Sequence, residues 1–220
     1  LITTKTGRRD SELKVAIDAF GGVQLASERV DLLNVTDYAI YVNDASDDTE
    51  FFVYPRRGTD WQEEVLSTAA IASTNVSVSG GTENLAYSGG MSYLNQDGIV
   101  GGNKSNYERI TSRLNLSYDI LDNLKITATG LYTISAKQNL PENGIGSVLY
   151  NAININPTLP VRDANGDFAI PGPNDVSAIE IINPVAQIAN TFDTTDLSRV
   201  TGTLGVDYTF WDKFTVTSRF

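Results

Sequence analysis

Three groups of residues have the types and spacing to do chemistry. The first is Asp163-Ala164-Asn165-Gly166-Asp167, which sets oxygen donors at positions 1, 3 and 5 of a calcium-loop pattern. The match stops there. Phe168 stands where that loop needs its glycine, and Asn174 stands where it needs a bidentate Glu. A tight Asn-Gly turn between two short extended pieces is the favoured reading. The second group is the acidic cluster Asp44, Asp47, Asp48 and Glu50, which offers carboxylates to a divalent ion but reads first as a solvated loop. The third is Arg109 and Arg113, four residues apart on one strand pattern, so that both fall on its polar side. They are candidates for lining a lumen, either along a solute path or, as we favour, in structural pairing with a neighbouring strand or a plug.

Other chemistry is excluded or lacks its setting. The chain has no Cys and no His, which removes thiol and Ser-His-Asp catalysis, zinc sites and disulfide frameworks. Gly80-Gly81 and Gly101-Gly102 read as turn glycines, because neither sits between a strand and a helix as a phosphate-binding loop would. No paired-carboxylate constellation stands out. The expectation is therefore no enzyme, no cofactor and no metal. A net charge of −11 argues against nucleic acid as a partner.

The elements that must position these residues are strands. From Ile110 to Ile120 the even positions are Ile110, Ser112, Leu114, Leu116, Tyr118 and Ile120, against Arg109, Thr111, Arg113, Asn115, Ser117 and Asp119. One side is oily and the other wet, at period 2. Leu124, Ile126, Ala128, Gly130, Tyr132 and Ile134 repeat the pattern with only Leu131 breaking it, and so do Val200 to Phe210 and Leu85 to Tyr93. Val76 and Val78 alternate with Asn75, Ser77 and Ser79, and a less regular stretch runs over Leu13–Phe20. Several runs exceed the five or six residues usual for soluble strands.

The connections alternate in length. Gly80–Asn84, Leu121–Asn123 and Trp211–Asp212 are tight, whereas Gly22–Ala70, Asn95–Asn106 and Gln138–Asp196 are longer. In an antiparallel meander this puts every long connection on one rim. The charge follows the same division. Residues 22–70 carry −7 and residues 138–196 carry −6, leaving the remainder slightly positive. No run of 18 apolar residues exists to make a membrane-crossing helix. Long Thr/Ser/Tyr/Gly-rich strands with a polar second face instead predict an all-β fold, part of a large antiparallel transmembrane β-barrel with a wet interior.

Aromatic residues gather near the strand ends. Tyr118, Tyr208, Phe210, Trp211 and Phe214 lie by the tight turns, and Tyr93, Tyr107 and Tyr132 lie towards the other rim, as two interfacial girdles would. The long connections carry helix signals: Asn34–Asn43 with Thr36 as N-cap, Thr59–Leu66 as a capping box closed by Gln62, and Gly146–Asn154 before Pro157. Leu1 follows no initiator Met and Phe220 closes inside a strand pattern, so the chain reads as an internal piece of a longer protein.

Several segments, in order, resemble the SusC/RagA-type TonB-dependent outer-membrane transporters. Leu1-Ile-Thr-Thr-Lys-Thr-Gly7 is similar to the segment that ends that family's plug domain, and Thr59-Asp-Trp-Gln-Glu-Glu-Val65 resembles its first outer loop. Val76–Thr82, Tyr87 and Asn95-Gln-Asp-Gly-Ile-Val100 resemble its first hairpin, and Tyr107–Asn115 the strand after it. Asn156–Val161, the Asp163–Asp167 turn and Asn183-Pro184 also resemble family features.

The resemblance implies a plugged barrel of 22 strands in the bacterial outer membrane. Residues 1–10 would hold the last plug strand and linker. Residues 11–220 would form about seven barrel strands, with extracellular loops 22–70, 95–106 and 138–196 and periplasmic tight turns. It implies import of a bulky nutrient, an oligosaccharide first and a peptide next, with TonB supplying energy through a segment outside this chain and a SusD-like surface lipoprotein as lid. A structural or interaction barrel, such as an adhesin or secretion component, is the alternative. Tyr38, Tyr41, Phe51, Phe52, Tyr54 and Trp61 are aromatic candidates for a glycan platform, although packing of the loop or contact with the lid is the expectation for most of them.

Overall fold

The structure, a computed structural model, describes residues 7–45, 58–141, 143–172, 180–211 and 213–220. Alternating side chains give seven strands: β1 (Ser11–Gln24), β2 (Ala69–Gly81), β3 (Leu85–Asp97), β4 (Asn106–Leu121), β5 (Leu124–Asn139), β6 (Asp193–Phe210) and β7 (Phe214–Arg219). They form one antiparallel sheet in simple sequence order. Each strand pairs with the next in the chain, so all odd connections lie at one rim and all even ones at the other. That is the arrangement the connection lengths predict.

The ladders run further than the side-chain pattern does. β1 continues to Gln24 opposite Ala69, β3 to Asp97 opposite Asn106, and β5 to Asn139 opposite Asp193. Backbone pairing needs no particular side chain, so alternation fades before the hydrogen bonds stop. The longest strand, β6, has 18 residues, well beyond the 9–11 that cross a bilayer's hydrocarbon.

The sheet has two chemically distinct faces. Directly opposed residues share a face. The row Ile17, Val76, Met91 and Ser112 continues through Tyr132 to Val200, and the row Tyr87, Leu116, Ala128 and Leu204 runs beside it. On the other face stand rows such as Asp18–Asn75–Ser92–Thr111–Thr133–Arg199. The apolar face is bare within this chain: Ile17 is 68% exposed and Val200 77%.

The buried core lies in the connections. Trp61, Val65, Leu140, Val148, Ala152, Ile155 and Ile181 form one cluster, drawn from two long connections and the outer end of β5. Four short helices surround it: α1 (Val35–Ala45), α2 (Trp61–Val65), α3 (Val148–Asn154) and α4 (Pro184–Asn190), with a 3-10 turn at Gly102–Lys104.

Capping corrects the expected helix starts. Asn34, and not Thr36, caps α1, because its Oδ1 accepts from the amides of Thr36 and Asp37 at 2.9 and 3.0 Å. α2 is capped by Asp60, whose Oδ1 accepts from the Glu63 amide at 3.0 Å. Thr59 instead donates its hydroxyl to the Leu159 carbonyl, 2.7 Å away. The capping-box reading fails because Gln62 is used elsewhere, in a pair of bonds to the backbone of Val30. α3 begins after its cap Ser147, and α4, capped by Asn183 with Pro184 at its first turn, has no counterpart among the expected helices.

Candidate functional site

Two surfaces compete for the functional role: the polar face of the sheet and the packed connections above one rim. The polar face is hydrogen-bonded along its length. Asn75 donates to Asp18 at 3.4 Å, Asn115 to Ser88 at 3.3 Å and Gln96 to Gln24 at 3.2 Å. Near the tight-turn rim Arg219 grips Asp207 with both terminal nitrogens, at 2.9 and 3.2 Å, while the Thr217 hydroxyl donates to the same carboxylate at 2.8 Å. Such a face suits water on its open side and would be costly against lipid.

Arg109 and Arg113 both stand on this face, exposed, and neither forms an ion pair with any described residue. Tyr107 stands on the same face, its ring centroid 6.0 Å from the Arg109 guanidinium carbon. It therefore does not join an aromatic girdle on the apolar face, since its odd position on β4 turns it away from Ile110. Tyr93 and Tyr132 do lie on the apolar face, by their pairing with Ile110 and with Ser112 and Val200. At the opposite rim Tyr208, Phe210 and Phe214 line up on that face too, with ring centroids 5.7–6.4 Å apart. Trp211 stacks edge-on against Phe210 at 5.4 Å, in the left-handed turn with φ 52°.

In the connections, side chains stand in for backbone partners. Gln62 pairs with the Val30 amide and carbonyl at 2.9 and 2.8 Å, as a strand neighbour would. Trp61 is buried, and its Nε1 donates to the Asn156 carbonyl at 3.1 Å. It packs the loops and presents no open platform. Asn151, fully buried, donates to Gln187 at 2.8 Å and accepts from the Ile182 amide at 3.3 Å. Asn183 caps α4 while its Nδ2 donates to the carbonyls of Val161 and Ala169 at 2.9 and 3.1 Å. The shorter connection is sewn in as well: the Gly101 amide donates to Val65 and the Ser67 amide to Ile99. Gly101 has φ +76°, and a Cβ there would collide with Leu140, so both conformation and space require glycine.

The Asp163–Asp167 segment is a turn. Asp163 Oδ1 accepts from the amides of Asn165 and Asp167 at 2.8 and 3.0 Å, Gly166 takes φ +89°, and Arg162 pairs with Phe168 across the bridge. The carboxylate that would lead a calcium site is thus committed to backbone. Among the described residues no group of acidic side chains is placed to hold a metal. Asp47, Asp48 and Glu50 of the acidic cluster, the aromatic candidates Phe51, Phe52 and Tyr54, and Leu1–Thr6 lie outside the described residues. Tyr38 lines a cavity of about 490 Å³ between α1, α2 and α3, with Arg29, Leu33 and Pro157 on its walls, and Tyr41 is exposed.

This geometry has counterparts among known proteins. No family model matches the chain. It is 29% identical over its whole length to TonB-dependent receptor P26 of Formosa agariphila, covering 22% of that protein. Over 88% of its length it is 30% identical to TonB-dependent receptor P3 of the same organism, covering 19% of it. Over 78% it is 28% identical to the TonB-dependent receptor SusC of Bacteroides thetaiotaomicron, covering 17% of it. The fold matches the RagAB peptide importer in its open-open state with a TM-score of 0.75 at 16% identity, over 98% of this chain and 28% of that one. The closed-closed state gives 0.73 at 17% identity, with the same coverage. The chain spans about a fifth of the length of the curated relatives it matches. On residues, strand order and these likenesses together, it belongs to the SusC/RagA-type TonB-dependent receptors.

Proposed function

We propose that this chain forms part of the wall and outer loops of an outer-membrane β-barrel that imports a bulky nutrient in a TonB-dependent manner. The observation that carries this is the pairing of a bare apolar face with a hydrogen-bonded polar face on one sheet, because that combination satisfies lipid on one side and water on the other. The apolar face meets lipid. The polar face, with Arg109 and Arg113, lines the lumen. The tight turns are periplasmic, and the connections within 22–70, 95–106 and 138–196 are extracellular. Residues 1–10 end a plug domain and lead into β1, and 11–220 belong to the barrel. The TonB-contacting segment lies outside this chain, and TonB engages the longer protein there.

The cargo is an oligosaccharide first and a peptide second, handed over by a SusD-like surface lipoprotein seated on the loop pack. Similarity to SusC and to a structure described as a peptide importer supports the receptor class and keeps both cargoes in the test. That test measures uptake of labelled oligosaccharides and peptides by cells with and without the intact protein, and with and without TonB. Uptake that collapses when either is removed supports the reading. Binding of cells to a surface that persists without TonB, with no uptake of either cargo, would favour an adhesin.

A further inference from the structure

The polar face carries a third arginine that completes a patch. Arg199 of β6 stands opposite Thr133 of β5, which stands opposite Thr111 of β4, and Thr111 lies between Arg109 and Arg113. Arg109 and Arg113 are four residues apart, about 13 Å along the strand, and Arg199 lies two strands over, about 10 Å across. The three guanidinium groups therefore surround the Thr111 and Thr133 hydroxyls on one face. All three are exposed, and none forms an ion pair with a described residue. The other charged pairs of this face are made locally, as between Arg219 and Asp207.

A polypeptide already approaches this face at the tight-turn rim. Gly7 lies hard against the backbone of Tyr87, Ala86 beside it is buried at 6% exposure, and Arg9 forms an ion pair with Asp119, a polar-face residue of β4. The chain leading into β1 thus comes in along the polar side of the sheet.

We propose that Arg109, Arg113 and Arg199 form a docking patch for an acidic surface of the polypeptide that precedes Gly7, lodged against the polar face. The proposal rests on the reading of residues 1–10 as the end of a plug. Charge decides between this occupant and a dissolved anion. An anion arriving through the loop rim meets connections carrying −7 and −6, and this repulsion acts over about 8–10 Å at moderate salt. Carboxylates fixed on a folded domain are not delivered by that route, and guanidinium forks suit them in paired, charge-assisted geometry.

The test uses the full-length protein in planar lipid bilayers, with conductance followed as urea is raised. R109Q/R113Q/R199Q should open at lower urea than wild type, with about tenfold higher open probability at the wild-type midpoint, since several charge-assisted contacts are lost. R162Q, in the exposed Arg162–Phe168 turn, should behave as wild type, and 1 M salt should shift wild type towards the triple variant. Should the triple variant fail to assemble, R113Q and R199Q singly and together give the same readout. Unchanged urea opening overturns the proposal. So does unchanged opening with weaker binding of oligogalacturonate relative to a neutral oligosaccharide of equal length, which assigns the patch to a dissolved anion. A wild-type protein that conducts freely without urea removes the plug reading and the proposal together, whereas a closed wild type with an unaltered triple variant removes only the patch.

Discussion

Ile17 and Val200 in the sheet are 68% and 77% exposed, whereas Val148 and Trp61 in the connections are 0% and 3% exposed. This reverses the usual division, in which regular elements hold the core and loops lie over it. The sheet obtains its order from backbone ladders and leaves its oily side to an apolar solvent that this chain does not provide. The connections behave like a small water-soluble domain, with an apolar cluster, capped helices and buried amides that replace missing backbone partners. One sequence therefore obeys two solvents, lipid along the strands and water around the loops.

Disruption of the loop core should separate the two regions most widely. Trp61→Ala removes the largest member of that core and its bond to Asn156, at a cost of about 3–5 kcal/mol. Proteolysis of intact cells should then cut within 58–66 or 140–190 far faster than in wild type, while heat-modifiability of the barrel on gels stays unchanged. Concurrent loss of the barrel would mean that the regions are one cooperative unit.

The second largest effect concerns the faces. Leu116→Arg places a charge on the apolar face in mid-strand and should destabilise the membrane-embedded protein by about 2–4 kcal/mol, read by urea unfolding in vesicles. Ser117→Arg, one residue on and facing the polar side, should fall within about 0.5 kcal/mol of wild type. Equal costs would show that the two faces meet the same environment.

Smaller effects sharpen the account of the loop pack. Asn183→Ala removes the α4 cap and two bonds to the 161–169 segment, and should cost about 1–2 kcal/mol, seen as faster amide exchange at Val185 and Ala186 with no change in the sheet. Asp163→Ala should cost about 1 kcal/mol and leave calcium sensitivity of the protein unchanged, because its carboxylate serves the turn backbone. A calcium-dependent shift in stability that this substitution abolishes would restore the metal reading.

Much of the sheet was legible from residue type alone, because period-2 alternation is imposed locally by the pleat. Ile110 to Ile120 set its own faces without reference to any neighbour, and the tight links fixed the order of strands. The loops were legible only in outline. Thr59-Asp-Trp-Gln has the form of a capping box, yet Asp60 takes the capping role because Gln62 is claimed by Val30, a residue 32 positions away. Tyr107 was grouped by its place near a strand end, and its face follows from register.

The sequence by itself determined the two-faced strands, the single rim of long acidic connections and the absence of thiol and imidazole chemistry, since each is a property of neighbours along the chain. Only the tertiary structure decided that Arg199 joins Arg109 and Arg113, that Asn151 and Asn183 serve as internal struts, and that the true core lies in the loops. Register, and contacts across some 30 to 100 residues, bring those groups together. Local pattern carries no information about which distant backbone a side chain will find.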